Sequence, residues 1–215
     1  MKWIVITSPD FLPGEVSTID TLFRSGIDLL HVRKPTASAD AVRQFLATVP
    51  TQWLGRIVLH DHFHLGEEFR LPAIHLNRRN PQPPAAFHGS LSASCHSLAE
   101  VAERKTQCDY VFLSPIFNSI SKTGYHAAFQ ESVLRQAAHS GIIDHQVVAL
   151  GGVTARHLPY LKSHHFGGAA FLGDIWQRTT LPSFTAYLQQ ISPQIFMLVL
   201  PRFLLRKKSV IRVRY

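Results

Sequence analysis

Eight short apolar runs, rich in β-branched residues, recur along the chain and predict eight β-strands. They span residues 3–7, 28–32, 56–59, 73–76, 89–94, 110–113, 146–150 and 168–172. Segments in which apolar residues recur with partial 3.6-residue spacing separate most of these runs and predict helices. The helices are expected at residues 18–25, 39–48, 65–69, 99–105, 130–140, 155–163 and 181–190. A proline-rich stretch at 80–84 predicts that one crossover is short or irregular.

Strands that are apolar throughout and alternate with helices predict a parallel sheet that is buried on both faces. Eight such units in roughly 190 residues, without a long insertion, favour closure into a single-domain α/β fold, the (β/α)8 TIM barrel. An open, doubly wound sheet is the alternative, because a sequence does not reveal closure. We assign residues 1–192 to the barrel and residues 193–215 to an apolar and basic C-terminal tail.

The tail carries most of the excess charge. The formal net charge is +8, but six of the 22 basic residues and none of the 14 acidic residues lie from residue 194 onward. The rest of the chain is nearly balanced and has no basic stripe with interleaved aromatic residues, so we expect no nucleic-acid binding. We interpret the tail as a final helix with a loose basic end, with contact to a membrane surface as the alternative.

Apolar runs and cysteines indicate the compartment. No run approaches the roughly 18 residues that a membrane-spanning helix needs, so no transmembrane segment is expected. Two cysteines, Cys95 and Cys108, do not make a disulfide framework, which fits a cytoplasmic protein. Whether the protein is a homo-oligomer is left open.

The glycine pair Gly151-Gly152 follows the seventh predicted strand, at the end of the barrel where this fold places active sites. Glycine lets backbone N–H groups approach an anion closely, and a phosphate cradle after strands seven and eight recurs in such barrels. A simple tight turn is the alternative. We favour the phosphate site, and so expect small phosphorylated substrates.

Cationic and hydroxyl-bearing residues follow other strands. Lys122 lies after strand six in a loop with Ser119 and Ser121, a combination that suits a polyanion such as diphosphate. Arg33 ends the second strand, where an unpaired guanidinium is costly, so it either pairs with Asp61 or binds an anionic ligand. We favour the ligand. Asp61 either pairs with Arg33 or holds a Mg²⁺ ion that neutralises diphosphate.

Other familiar sites are not supported. The chain has 13 histidines, yet neither His60-x-His62 nor His164-His165 has the spacing of a tetrahedral zinc site. The sequence contains no Gly-x-Ser-x-Gly, Walker or Gly-x-Gly-x-x-Gly arrangement, which removes support for hydrolase, NTPase and dinucleotide-binding functions.

The residues at the strand ends resemble the thiamine phosphate synthase/TenI family, whose members are compact phosphate-binding (β/α)8 barrels. The resemblance covers roughly residues 3–192 and leaves the tail outside. It rests on HVRKP at 31–35, LHD at 59–61, IHLN at 74–77, SASCHS at 92–97, DYVFLSPIFNSISKTG at 109–124 and VVALGGV at 147–153. The segment at 109–124 is the most specific of these.

The resemblance implies an enzyme that joins an aminopyrimidine methyl diphosphate to a thiazole phosphate and releases pyrophosphate. Departure of the diphosphate would leave a pyrimidine-methyl cation, which the thiazole nitrogen captures. Catalysis of this kind consists mainly of neutralising the leaving group and shielding the cation from water.

The same resemblance implies roles for individual residues. The diphosphate would be contacted by Arg33, His60 and Lys122, with Ser94 near the leaving group and Asp61 on Mg²⁺. The thiazole phosphate would be bound by Ser119 and Ser121, which stand where the family usually has threonines, and by the amides of Gly152, Leu172 and Gly173.

Four further positions depart from the family pattern. The first is His60, which stands before Asp61 where the family usually has asparagine. The family's Gln-x-Arg-x-Lys reads here as His31, Arg33 and Pro35, so one expected lysine is missing. Lys34 is the candidate substitute, although strand alternation points it in a different direction. A second metal-binding carboxylate is expected after strand four, where this chain has Asn80. Losing an acid weakens a Mg²⁺ site by charge and by ligand count.

His31 also resembles the TenI-type thiazole phosphate tautomerases, which aromatise their substrate without a metal. In such an enzyme His31 and His96 would be the general acid and base, because an unperturbed imidazole titrates near neutrality. The synthase is the favoured function. The tautomerase, a non-catalytic binder of a phosphorylated ligand and another phosphate-binding barrel, such as a tryptophan-pathway isomerase, are the alternatives.

Overall fold

Eight parallel strands form a closed barrel in which each strand pairs with its neighbours in chain order, and β1 also pairs with β8. The computed structural model describes residues 1–118 and 127–196. The strands are β1 (Lys2–Ile6), β2 (Leu29–Val32), β3 (Ile57–Leu59), β4 (Ala73–Leu76), β5 (Ser90–Cys95), β6 (Tyr110–Leu113), β7 (Val147–Ala149) and β8 (Gly168–Phe171). Closure confirms the predicted (β/α)8 barrel and removes the open sheet as an alternative.

Helices connect most of the strands and cover the outside of the barrel. They are α1 (Glu15–Arg24), α2 (Ala39–Thr48), α3 (Thr51–Leu54), α4 (Leu65–Glu68), α5 (Leu98–Arg104), α6 (Glu131–His139), α7 (Leu158–Ser163), α8 (Gly173–Trp176) and α9 (Phe184–Phe196). In α2, Ser38 caps the first turn by accepting a hydrogen bond from the backbone N–H of Ala41. The helix buries Val42, Phe45 and Leu46, whose three- and four-residue spacing places them on one face.

Alternation along the strands separates an inner apolar layer from an outer one. In β6, Val111 and Leu113 pack in the outer layer beneath the helices, whereas Tyr110 and Phe112 belong to the cluster inside the barrel. Parallel strands need this double burial, which explains why they read as continuous apolar runs. In β2 the same alternation turns the side chain of His31 to the inside, where it is fully buried.

The predicted elements are present with ends shifted by a few residues, and the differences are local. No helix lies in the described stretch between β4 and β5, as the prolines predict. The four-residue helices α3 and α8 are not predicted by the sequence pattern. The last helix runs to Phe196, across the boundary assigned at residue 192, and that boundary stays a prediction. Among the described residues, no helix has both the length and the apolar character needed to cross a membrane.

Candidate active site

A cavity of about 380 Å³ opens at the carboxyl ends of the strands. It is lined on one side by residues that follow β2, β3 and β4, and on the other by residues that follow β7 and β8. Its floor includes the apolar side chains of Ile6, Phe112 and Ala170. Parallel strands direct their carboxyl ends to one rim, so residues far apart in the chain meet here.

The first wall is cationic. Arg33, Arg78 and Arg79 all line the cavity, together with His60 and Asn77. Burial lowers the pKa of the Arg33 guanidinium, and the nearby charge of Arg79 lowers it further. Within the described residues the Arg33 side chain forms no ion pair, so the alternative that it pairs with Asp61 is not found. Its position instead favours the predicted anionic ligand.

Asp61 is held by donors from the loop after β4. Its Oδ1 accepts hydrogen bonds from Arg79 Nε at 3.0 Å and Asn80 Nδ2 at 2.9 Å, and its Oδ2 accepts one from Arg79 Nη2 at 2.9 Å. The Asp61 side chain is only 14% exposed. Asn80 Nδ2 also donates to the carbonyl of His60 at 3.1 Å.

This arrangement does not fit the Mg²⁺ ion that the resemblance implies. Magnesium requires about six oxygen ligands near 2.1 Å in octahedral geometry. Both oxygens of Asp61 already accept hydrogen bonds from Arg79 or Asn80. The second expected carboxylate is replaced by the side-chain amide of Asn80, and the nitrogen of that amide faces Asp61. The donor set in these loops therefore serves a guanidinium rather than a metal.

The opposite wall is formed by the glycine turn after β7. Gly151 has a φ of 91° and Gly152 a φ of 63°, a region that favours glycine. A Cβ on Gly151 would lie 2.7 Å from Pro115, and one on Gly152 would lie 2.1 Å from the carbonyl oxygen of Asn118. The turn is therefore required by close packing against the loop after β6, in addition to any part in anion binding.

Backbone N–H groups on this wall are available to a ligand. Those of Gly151, Gly152, Leu172 and Gly173 make no hydrogen bond to another described residue, and all four residues line the cavity. A phosphate that accepts several such bonds needs no side-chain charge to be held. The uncommitted N–H groups of these two turns favour the phosphate cradle, which stays a prediction.

Below the cavity, three histidines fill the interior of the barrel. His31 Nδ1 lies 2.9 Å from His60 Nε2, and the His60 and His75 rings are stacked with centroids 4.1 Å apart. His31 Nε2 bonds to the Tyr110 hydroxyl at 2.7 Å. Burial lowers the pKa of His75 to about 3 and holds the pKa values of His31 and His60 well below the usual range. All three rings are therefore neutral at neutral pH.

These histidines offer three nitrogen ligands within 4.8 Å of one another, but their surroundings oppose a metal ion. The charge of Arg33 lowers the pKa of both His60 and His75, so a second positive charge is disfavoured there. His75 also has hydroxyl partners on both nitrogens, Ser92 Oγ and Ser94 Oγ, each at 2.8 Å. We interpret this cluster as a hydrogen-bonded layer that supports the cavity.

Two predicted catalytic residues differ in their access to the cavity. Ser94 lines it and is oriented by His75. His31 lies one layer lower, is completely buried and does not line the cavity, so the structure does not support its predicted direct contact with a substrate. Its Nδ1 instead bonds to His60, which does line the cavity. Strand alternation turns His31 inward, and its position below the rim keeps it from the cavity.

His96 lies at the rim and lines the cavity. Its Nδ1 donates to the carbonyl of Ser114 at 3.1 Å, which leaves the lone pair on Nε2 when the ring is neutral. No hydrogen bond engages that Nε2 within the described part of the chain. The ring can therefore take a proton from a bound ligand.

A family model described as thiamine monophosphate synthase matches residues 4–175 of this barrel. The chain belongs to that family. A crystal structure of a thiamine phosphate pyrophosphorylase from Bacteroides thetaiotaomicron has 39% identity and a TM-score of 0.81, and the match covers 92% of this chain and 98% of that one. The thiamine phosphate pyrophosphorylase from Pyrococcus furiosus is 17% identical with a TM-score of 0.73, over 92% of this chain and 96% of that one, and supports the fold alone.

A curated family member, the thiamine-phosphate synthase of Latilactobacillus sakei subsp. sakei (strain 23K), is 24% identical over 140 residues. That match covers 62% of this chain and 62% of the relative, so the chain spans less than two thirds of that protein's length. Membership of the family agrees with the resemblance noted in the sequence.

Some residues expected at the site lie outside the described part of the chain, and some residues at the site were not expected. Ser119, Ser121 and Lys122 lie outside the described ranges. Lys34 cannot replace the missing lysine, because its Nζ is buried against Glu15 Oε1 at 2.7 Å and does not line the cavity. Asn77, Arg78 and Arg79 directly follow β4, and this position is the sequence signal for their place at the rim. Six contributors to the site have no role predicted from the sequence: His75, Asn77, Arg78, Arg79, Tyr110 and Ser114.

Proposed function

We propose that this protein is a thiamine phosphate synthase, which couples an aminopyrimidine methyl diphosphate to a thiazole phosphate and releases pyrophosphate. One observation carries the proposal: a single cavity has guanidinium groups on one wall and uncommitted backbone N–H groups on the other. The cavity can therefore hold a diphosphate at the guanidinium wall and a monophosphate at the backbone N–H wall at the same time. Membership of the thiamine monophosphate synthase family supports the same reaction.

In this proposal the cationic wall receives the diphosphate. The bond between the pyrimidine methylene carbon and the diphosphate oxygen breaks, and the electron pair leaves with pyrophosphate. Arg33 and Arg78 stabilise the charge that develops on the leaving oxygen, and Ser94, oriented by His75, donates a hydrogen bond beside it. Because the hydrogen-bond donors around Asp61 do not fit a metal ion, the positive charge at this wall comes from the guanidinium groups.

The opposite wall receives the thiazole phosphate. The amides of Gly152, Leu172 and Gly173 bind its phosphate, which places the thiazole ring over the apolar floor. The nitrogen lone pair of the ring then forms the new bond to the pyrimidine methylene carbon. Ile6, Phe112 and Ala170 on the floor keep water away from the carbocation before capture.

A coupled assay tests this function. The protein is incubated with both substrates, and pyrophosphate and thiamine phosphate are measured. We expect equal amounts of the two products, and we expect Arg33→Gln to lower kcat/KM about 10- to 100-fold, since it removes charge-assisted hydrogen bonds to the leaving group. Arg135→Gln, an exposed change on α6, is the matched control. Binding of thiazole phosphate without any product would instead indicate a non-catalytic binder.

A TenI-type thiazole phosphate tautomerase is the second candidate, and His96 favours it. The uncommitted Nε2 of His96 lies at the cavity and can remove a proton from a bound thiazole. Conversion of the thiazole tautomer without pyrophosphate release, lost in His96→Gln, would support this function over the synthase. Dependence on Mg²⁺ does not separate the two candidates, because Asp61 is already engaged by Arg79.

Other properties follow from the proposal rather than from the fold. We propose small phosphorylated molecules as substrates and the cytoplasm as the location. That the protein does not bind nucleic acid stays a prediction from its charge distribution. The assignment of residues 193–215 to a separate tail stays a prediction from composition. Whether the protein forms a homo-oligomer stays open.

A further inference from the structure

The guanidinium of Arg79 lies where the family resemblance leads us to expect a metal ion. We propose that Arg79, held in place by Asp61, which Asn80 in turn orients, binds diphosphate directly, and that the protein therefore binds pyrophosphate without a divalent cation. The meaning of this site for catalysis rests on the proposed function, whereas binding of pyrophosphate does not.

The orientation of Asn80 favours the guanidinium. Its Nδ2 donates to two acceptors, Asp61 Oδ1 and the carbonyl of His60, so the amide oxygen is directed away from the carboxylate. A metal shared between Asp61 and Asn80 would need that oxygen on the same side as the carboxylate. The loop after β4 is also fixed from within, since Asn77 Oδ1 accepts a hydrogen bond from the backbone N–H of Arg79 at 2.9 Å.

Local charge is balanced in the same way as in a metal site. A Mg²⁺ ion with two carboxylates has no net charge, and Asp61 with the guanidinium of Arg79 also has none. Replacing one carboxylate by the amide of Asn80 and the metal by Arg79 therefore preserves the local charge. Arg33 and Arg78 remain on the same wall as the net positive charge that an anion meets.

Arg79 retains donors for a ligand. A guanidinium has five N–H donors, and the two contacts with Asp61 engage Nε and one N–H of Nη2. The remaining donors make no hydrogen bond to another described residue. The side chain is 43% exposed and lines the cavity, so diphosphate can reach it, while the bidentate bond to Asp61 fixes its direction.

Calorimetric titration with inorganic pyrophosphate tests the proposal on the full chain. One series contains EDTA and the other contains excess Mg²⁺. We expect the wild-type Kd values in the two series to agree within about threefold. A Kd in EDTA that is weaker by more than this, or no binding in EDTA, would overturn the proposal.

Variants identify the residue. In EDTA, Arg79→Gln should weaken binding about tenfold or more, and Arg79→Lys, which keeps the charge and loses the fork, should fall between it and the wild type. Arg24→Gln, at the exposed end of α1, is the matched control. Equal affinity of Arg79→Gln and the control would overturn the role of Arg79. Pyrophosphate binding in EDTA without thiamine phosphate formation would refute the proposed function and leave this inference standing.

Discussion

Single residues in the turn after β7 are constrained by backbone conformation and by packing together. Gly152 has a positive φ, and its Cα hydrogen faces the carbonyl oxygen of Asn118 where a Cβ has no space. Gly14 also has a positive φ, of 71°, but a Cβ added there would have nothing within 4 Å. Substituting alanine at the two positions therefore distinguishes the energetic cost of the left-handed backbone conformation from that of the steric clash.

We predict that Gly152→Ala lowers the free energy of unfolding by more than about 2 kcal/mol, since the left-handed conformation alone costs about 1–2 kcal/mol for a residue with a Cβ. The clash with Asn118 adds to that cost. Urea unfolding measures the change. Gly14→Ala should lose only the conformational part, and similar losses in the two variants would contradict the packing argument.

A second residue-scale prediction concerns the layer below the cavity. Tyr110→Phe removes the hydroxyl that bonds His31 Nε2, and leaves that buried nitrogen without its partner. We expect a loss of about 1–3 kcal/mol in the free energy of unfolding. Tyr160→Phe is the control, because the Tyr160 hydroxyl has no hydrogen-bond partner among the described residues. Thermal unfolding of the two variants would refute the prediction if their midpoints coincided.

At the scale of elements, a buried ion pair ties α1 to the end of β2. Lys34 Nζ contacts both oxygens of Glu15 at 2.7 Å and donates to the carbonyl of Asp10 at 2.9 Å. Burial lowers the pKa of Lys34 and raises that of Glu15, so desolvation opposes both charges and the pair relies on its close geometry. The rings of Phe11 and Phe45 cover the ammonium group.

We predict that Lys34→Met lowers the free energy of unfolding by about 3–5 kcal/mol, because it leaves the carboxylate of Glu15 buried without its partner. Adding Glu15→Gln should restore much of the loss by removing the uncompensated charge. Denaturant titration of the single and double variants measures both effects. If the double variant were as unstable as the single one, packing of the lysine stem rather than charge would be responsible.

Elements differ in how well the sequence predicts them. All eight strands follow from mainly apolar runs, because burial on both faces leaves few polar positions in them. The exceptions inside the barrel include His31 in β2, His75 in β4 and the serines of β5. Helix α2 is predicted with its observed ends, since Ser38 caps it and its apolar face is regular. Helices α3 and α8 are single turns of four residues that closely follow another element, α2 in one case and β8 in the other, so no separate helical period marks them. Helix α4 is equally short but is predicted, because it stands apart from other elements between β3 and β4.

At the scale of the whole molecule, the rim of the site could be predicted and its interior could not. Residues directly after strands, such as Arg33 and Gly152, meet at one end of any parallel barrel, so chain position alone identifies them. The contact between His31 and His60 and the stacking of His60 on His75 depend on register between strands and on which side chains turn inward. Strand register and side-chain direction cannot be predicted from the sequence until the closure of the barrel is known.

The buried histidines make the whole molecule sensitive to pH. His31, His60 and His75 are held neutral by burial, which lowers their pKa values in the folded state, whereas histidines in the unfolded chain titrate near pH 6.5. The unfolded state therefore binds more protons below that pH. Stability from this source is complete above about pH 6.5 and is lost as the pH falls toward the folded values, about 3 for His75.

We predict that the free energy of unfolding falls by up to about 4 kcal/mol per pH unit between about pH 6 and pH 5, since each neutral buried histidine contributes about 1.4 kcal/mol per unit. Urea unfolding across this range measures the slope. His75→Gln keeps a polar side chain but removes one titrating group, so its slope should be about one third smaller. An equal slope in the wild type and His75→Gln would mean that other groups control acid unfolding, because only a group that changes its protonation on unfolding can alter the slope.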